Sequence, residues 1–399
     1  MEKVKKAVKN IIKKVNRDGD EALIEFTSRF DGVRLGRDDI EVNEKTKERE
    51  SSKVDRETLE SLKKAAKNIK EYAAQNYKTI PREELIKGNG VIIRDRYIPV
   101  KRAGLYVPGG EFSYPSSVLM TAIFAQEAGV KEVVMMSPPG KLTPEVIKAA
   151  QISGVDRIFR IGGAQAIAAM ALGTESVPGV DIIVGPGNMY VQEAKKELSD
   201  KVGIDMLAGP SEVVIIAHES KEYSWLATDL MAQAEHAPDA RAVLVTPDKD
   251  IIENVKKLII PRLRERVEFK LAEDIGSAVN ISNRIAPEHL QIICPEKAEK
   301  NVLEGIYNAG AVFVGKYTPV ALGDYWAGPS HTLPTGMTAR YSEGLNVRTF
   351  LKKVSFMESS KASFQGWMKD VERLAGIEGM EYHKKSVSLR RKNTKNETP

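Results

Sequence analysis

From about Val91 onward the chain alternates short apolar runs with longer amphipathic stretches. "GVIIRDRYIPV", "KEVVMMSPP", "VDRIFRIGG", "VDIIVGPGN" and "GIDMLAGPSE" read as strands, and "PSSVLMTAIFAQEAGV", "LTPEVIKAAQISG", "AQAIAAMALG" and "MYVQEAKKELSD" as helices between them. A second series follows: "EVVIIA", a helix ending at His236, "RAVLVTP", a charged helix, "LQIICP", another helix and "GAVFVG". Apolar strands alternating with helices predict parallel sheets covered on both faces. Each series has enough strands for its own sheet, which predicts two α/β domains. Residues 1–77 read as helical throughout, with Asp55 placed to cap the helix that begins "RETLESLKKAAKNIKEYAAQNY". Val4, Val8, Ile11, Ile12 and Val15 recur at helical spacing, so the first segment is an amphipathic helix that packs on something. The Gly- and Pro-rich stretch from Tyr317 to Phe350 is too long for an idle connection. A helix over about Ser359–Ile377 and a polar end without regular structure are expected after it.

Composition changes this picture little. A chain of 399 residues with 42% hydrophobic and 29% charged residues is an ordinary globular enzyme by composition and is long enough for two domains. Its single cysteine, Cys294, excludes an internal disulfide, and the basic opening segment lacks an apolar core; a cytoplasmic protein without signal peptide or membrane span is expected. The net charge of +5 is concentrated in "KVKKAVKNIIKKV" and "LRRKNTKNETP". No aromatic residues interleave with these charges, so they read as solvated faces and not as a nucleic-acid platform.

Four strands end in glycine turns: "YVPGGE", "IGGAQA", "VGPGNMY" and "LAGPSE". Ligands of open α/β sheets gather at such strand ends, and a glycine pair opening a helix suits phosphate. Each turn alone is equally a tight connection; four together favour a ligand. Four of the five histidines keep polar company: Gln233 with His236, Glu288 with His289, Asp324 with His331, and Glu378 with His383. These residue types suit acid–base work or zinc ligation. Spacing alone leaves the choice open. Gln233 and His236 share a helix face, which suits either a metal or a plain helix end. Glu288 and His289 are neighbours and would point to opposite faces of a regular strand, converging only if Pro287 sets an irregular loop. Cys294 beside His289 raises a thiol nucleophile, but an apolar strand is where a lone cysteine usually packs.

Taken together, "GLYVPGG", "IGGAQAIAAMALGTESVP", "DIIVGPGN", "GIDMLAGPSE", "AQAEHAPDA", "NRIAPEHLQ" and "GDYWAGPSHTLPTG" resemble histidinol dehydrogenases over nearly the whole chain. The resemblance implies two Rossmann-like parallel-sheet domains, one inserted in the other, with helical N- and C-terminal extensions. The boundaries it suggests are residues 1–17 for the N-terminal extension, 18–105 plus 215–346 for the discontinuous first domain, 106–214 for an inserted nucleotide-binding domain and 347–399 for a helical tail. It further implies oxidation of L-histidinol to L-histidine through a bound aldehyde, two NAD⁺ reduced, one zinc per subunit, and a homodimer whose tail reaches the partner's site.

Carried onto this chain, the family's zinc ligands fall on Gln233, His236, Asp324 and His383, and its catalytic pair on Glu288 and His289. Substrate contacts fall on Ser211, His331 and Glu378 besides the metal ligands and His289, and nucleotide contacts on Tyr106, Gln165 and Asn188. Ser330 stands where asparagine is common in the family, a change expected to alter a local hydrogen bond. The implied zinc would chelate and orient the substrate's nitrogens, with His289 as base and Glu288 activating water for the second oxidation. Three rivals remain at this stage: a zinc hydrolase indifferent to NAD⁺, another NAD-dependent alcohol or aldehyde dehydrogenase, and a binding protein that turns nothing over.

Overall fold

The computed structural model describes residues 2–88, 90–109 and 113–393. The last residues of the "YVPGGE" turn and the end of the polar tail, residues 394–399, lie outside the described residues. The chain forms two compact units, Met1–Tyr77 with Val100–Phe350 and Lys78–Pro99 with Leu351–Pro399.

In chain order the helices of the N-terminal part are α1 (Glu2–Asp31, broken at Gly19), α2 (Glu44–Ser51) and α3 (Arg56–Lys78). Strands β1 (Glu83–Gly88) and β2 (Val91–Pro99) follow. A first βα series comprises β3 (Arg102–Tyr106), α4 (Pro115–Ala128), β4 (Glu132–Met136), α5 (Pro144–Ile152), β5 (Arg157–Phe159), α6 (Gly163–Leu172), β6 (Ile182–Val184), α7 (Met189–Leu198) and β7 (Gly203–Ile204). The second comprises β8 (Glu212–Ala217), α8 (Tyr223–Ala234), β9 (Arg241–Thr246), α9 (Lys249–Leu258), β10 (Val267–Leu271), α10 (Ile275–Ile285), β11 (His289–Ile293), α11 (Glu296–Glu304) and β12 (Ala311–Val314). The chain continues through α12 (Val320–Tyr325), β13 (Leu351–Ser359), α13 (Lys361–Ile377) and α14 (Glu381–Asn393).

The first unit holds two five-stranded sheets of the same winding, β5-β4-β3-β6-β7 and β10-β9-β8-β11-β12, parallel throughout. Val213, Ile215 and Ala217 face one apolar cluster and Val214 and Ile216 another, so "EVVIIA" is continuously apolar because both faces of β8 are covered. The N-terminal helix packs as its spacing predicts: Val8, Ile11, Val15, Leu23 and Phe26 of α1 join the core of the first sheet. Asp55 caps α3, its carboxylate accepting the Thr58 N–H at 2.9 Å.

The second unit is an antiparallel sheet, β1-β2-β13, with α13 and α14. Here the sequence reading is corrected. Leu351–Ser359 is a strand paired along β2, and the polar end beyond Ile377 is helical over Glu381–Asn393. In the first unit β10 and α10 escaped the reading as well: "VEFKL" is a short edge strand with charged residues at alternate positions, which weakens its apolar signature. Among the described residues no helix is long and apolar enough to cross a membrane.

Candidate active site

In the first sheet the winding reverses between β3 and β6, and the crevice beyond the carboxyl ends of strands at such a point is where α/β sheets bind ligands. A cleft of about 890 Å³ lies there. Tyr106 at the end of β3, Gln165 in the first turn of α6 and Asn188 after β6 all line it, so the three expected nucleotide contacts share one cavity. The βα turns are tight enough to require glycine. A Cβ at Gly162 would lie 2.5 Å from Pro138, and one at Gly185 (φ +111°) 2.2 Å from the Tyr106 carbonyl oxygen. The Tyr106 hydroxyl accepts the Gly163 N–H at 3.0 Å, and burial pushes the phenol up to about 12, so it stays protonated. Asn188 caps α7, accepting from the N–H groups of Tyr190 and Val191 at 3.0 and 3.2 Å. The opposite wall is α1, with Phe26, Phe30 and Asp31. The sequence reading missed this wall: α1's apolar spacing pointed to packing, and nothing local tied its last turn to a ligand.

The second site breaks the strand-end rule. Glu212 opens β8 and His289 opens β11, so the expected catalytic pair lies at the amino ends of the second sheet. The neighbours converge because the chain reaches β11 irregularly: Ala286 is left-handed (φ 49°), Pro287 follows, and Glu288 precedes the strand. Glu288 Oε2 accepts the Glu212 N–H at 2.9 Å, and His289 Nδ1 lies 3.3 Å from the Glu212 carbonyl oxygen and 3.6 Å from Glu288 Oε2. A carbonyl only accepts, so Nδ1 carries the proton and Nε2 keeps its lone pair. Glu212 is the organiser that sequence reasoning missed; the signal was a glutamate starting an otherwise apolar strand.

Electrostatics divides the roles. Burial, with Glu212 and Asp324 nearby, raises the Glu288 carboxyl well above the usual carboxylate range, against hydrogen bonds from the Glu212 N–H and the Ser211 hydroxyl. Burial holds His289 down at about 3, with His331 and His236 adding repulsion, so its imidazole is neutral at ordinary pH. His331 is lowered to about 4, again chiefly by burial. Its Nδ1 donates to the Asp324 carbonyl at 3.3 Å and its Nε2 accepts from the Ser117 hydroxyl at 2.9 Å. Ser117 lies in the first turn of α4, which follows β3, so the carboxyl-end region of the first sheet meets the catalytic segment of the second. Ser330 is buried and its hydroxyl accepts the Thr332 N–H at 3.1 Å, a bond within the loop that presents His331.

Of the expected zinc ligands, Gln233, His236 and Asp324 belong to this unit, whereas His383, like the expected substrate contact Glu378, is exposed on the second. Among the described residues no three His, Cys, Asp or Glu side chains form a metal-binding group. The expected set places just two such residues, His236 and Asp324, in the first unit. The donors nonetheless suit zinc. α8 ends at Ala234, so His236 lies beyond the helix and not on its face, and its Nδ1 donates to the Ala232 carbonyl at 2.8 Å. That bond leaves Nε2 for a metal. Burial lifts the Asp324 carboxyl to about 6, with the nearby His236 opposing the shift. The Gln233 amide is buried with its Nε2 unpartnered. Two residues outside these sets are structural: His218 bonds Asp248 at 3.1 Å, and Cys294, the one thiol, packs against the second sheet's core and is raised by burial.

A family model described as histidinol dehydrogenase matches residues 1–391. The chain is 44% identical to the histidinol dehydrogenase of Synechococcus sp., covering 97% of this chain and 92% of that protein. It is 42% identical to that of Clostridium acetobutylicum, covering 96% and 92%. The crystal structure of histidinol dehydrogenase from Elizabethkingia anophelis superposes with a TM-score of 0.90 at 32% identity, covering 98% of this chain and 93% of that one.

Proposed function

The chain belongs to the histidinol dehydrogenase family, and from that premise we propose that it oxidises L-histidinol to L-histidine in two NAD⁺-dependent steps, as a cytoplasmic zinc enzyme of histidine biosynthesis. The observation that carries the reading is the pairing of two sites: a cleft lined by Tyr106, Gln165 and Asn188, and a neutral His289 beside a high-pKa Glu288, linked through Ser117 and His331. A hydrolase would have no use for the cleft. We also take residues 106–214 as the inserted nucleotide-binding domain within 18–105 and 215–346, between the extensions 1–17 and 347–399; β4 to β7 of the first sheet fall inside 106–214, while β3 straddles its start and α1 packs on the same sheet.

The residues that would hold zinc are Gln233, His236, Asp324 and His383. When bound, zinc supplies a Lewis-acid centre that fixes the imidazole and amine nitrogens of the substrate. His289 Nε2 takes the hydroxyl proton while the carbinol carbon gives its hydride to the nicotinamide, leaving the aldehyde, NADH and one proton. Glu288, acting as its carboxylate with a pKa raised by burial, then takes a proton from water as the water oxygen adds to the aldehyde carbon, and His289 returns its proton to the aldehyde oxygen to complete the hydrate. His289 removes the hydroxyl proton of this hydrate while a second hydride goes to a second NAD⁺, giving the carboxylic acid. Ser211, His331 and Glu378 orient the substrate.

Two chains would form the working unit, with Glu378 and His383 serving the partner's site. The support is the second unit's surface: both residues are exposed there, among exposed Leu374, Ile377, Met380 and Tyr382. The test is NADH formed per L-histidinol consumed, before and after zinc removal and return. Two NADH per substrate, lost with chelator and regained with zinc, is the expected result; one NADH removes the role given to Glu288, and none removes the function.

A further inference from the structure

Two buried amides in the first unit carry complementary unmet needs. Gln233 on α8 is 3% exposed and its Nε2 donor has no partner. Gln291 on β11 is 1% exposed and its Oε1 acceptor has no partner, although its Nε2 donates to Asp229 Oδ2 at 2.8 Å. Asp229 lies four residues before Gln233 on α8, so the two share a helix face about 5–6 Å apart. Gln291 is thus tied to Asp229, one helical turn along α8 from Gln233, and no bond joins the two amides in this structure. It also shares a strand face with His289, two residues before it on β11. An amide offers a metal one atom, its oxygen, and turns a repelling N–H₂ toward it when flipped. Something must hold the flip.

We propose that Gln291 and Asp229 are positioning residues for the metal ligand Gln233: Gln233 Nε2 donates to Gln291 Oε1, Gln291 Nε2 donates to Asp229, and the chain of bonds turns Gln233 Oε1 toward the cation. This rests on the zinc reading above. It uses both orphaned atoms and explains why a buried strand of apolar residues keeps a glutamine. A purely structural tie between α8 and β11 needs the Gln291–Asp229 bond alone and leaves both orphans unexplained.

The experiment is zinc titration of the metal-stripped full-length protein against a chromogenic chelator, with thermal unfolding of the metal-free form alongside. Gln291→Met, equal in length but without the amide, is expected to weaken zinc binding about 10- to 100-fold, as loss of a group that orients a metal ligand does, with metal-free Tm held. The double change Gln291→Glu/Asp229→Asn, which reverses donor and acceptor at one bond and keeps an acceptor for Gln233, is expected to recover affinity to within about threefold of the parent. If Gln291→Met does not fold, Asp229→Ala, which frees Gln291 from its anchor on a helix, is expected to weaken zinc about tenfold. Parent-like affinity in Gln291→Met, or in Asp229→Ala where that variant is used, overturns the inference while leaving the zinc reading intact, as does lowered metal-free Tm with unchanged affinity. A parent chain that binds no zinc overturns both.

Discussion

Lys195 is fully buried in α7, and removing its charge tests what holds the nucleotide cleft in shape. Its Nζ donates to Asp205 Oδ1 at 2.7 Å and to the Gly185 carbonyl at 2.5 Å. Asp205, equally buried, accepts the N–H groups of Gly185 and Met206, each at 2.7 Å. One ion pair thus pins both sides of the turn after β6 that carries Asn188 into the cleft. Lys195→Met fills the same volume but leaves a carboxylate buried without its cation and a carbonyl without a donor. Breaking one side of a buried pair costs about 3–5 kcal/mol, most of it the stranded charge. Adding Asp205→Asn removes that charge and keeps an acceptor, so the double variant is expected to cost about 1–2 kcal/mol less than Lys195→Met alone. The assay is urea unfolding of the parent, both single variants and the double, compared at their midpoints. A Lys195→Met loss below about 1 kcal/mol, or a double variant whose cost is the sum of the singles, would refute the argument that the pair acts as a unit.

Gly185→Ala should lower stability by more than about 3 kcal/mol, because a Cβ there meets backbone at 2.2 Å and the residue has φ +111°; a parent-like Tm contradicts this. The pH dependence of His289 has a definite sign. Its pKa is about 3 folded against 6.5 unfolded, so between those values the unfolded chain binds the extra proton and stability falls as pH falls. His289→Asn removes that term, so in metal-free protein it should gain about 2 kcal/mol relative to the parent between pH 6.5 and 5, read as a difference in urea midpoints. His236→Ala is expected to lose metal and activity together, with full zinc retention by elemental analysis counting against the ligand assignment. Glu288→Gln should slow histidinal oxidation far more than the first oxidation; equal histidinal turnover would remove its role as the base acting on water.

Local pattern determined much of this protein. Alternating apolar runs specified two parallel sheets because a strand covered on both faces must be apolar at every position, and β8 is the clearest instance. The glycine turns marked the carboxyl ends of β3, β5 and β6, and the spacing of Val8, Ile11 and Val15 marked the packed face of α1. Edge elements were less legible: β10 carries charges, and β13 finds its place through β2, more than 250 residues earlier, so its pairing is not written in its neighbours. The meeting of residues was decided by tertiary structure alone. Glu288 and His289 converge because Ala286 and Pro287 bend the entry to β11 and because the backbone of Glu212, on another strand, takes a bond from one and gives one to the other. Their shifted pKa values come from burial, a property of the packed chain and not of the residue type. Periodicity reports which way a side chain faces within its own element; which other element it then meets depends on contacts distant in sequence, and so on the fold.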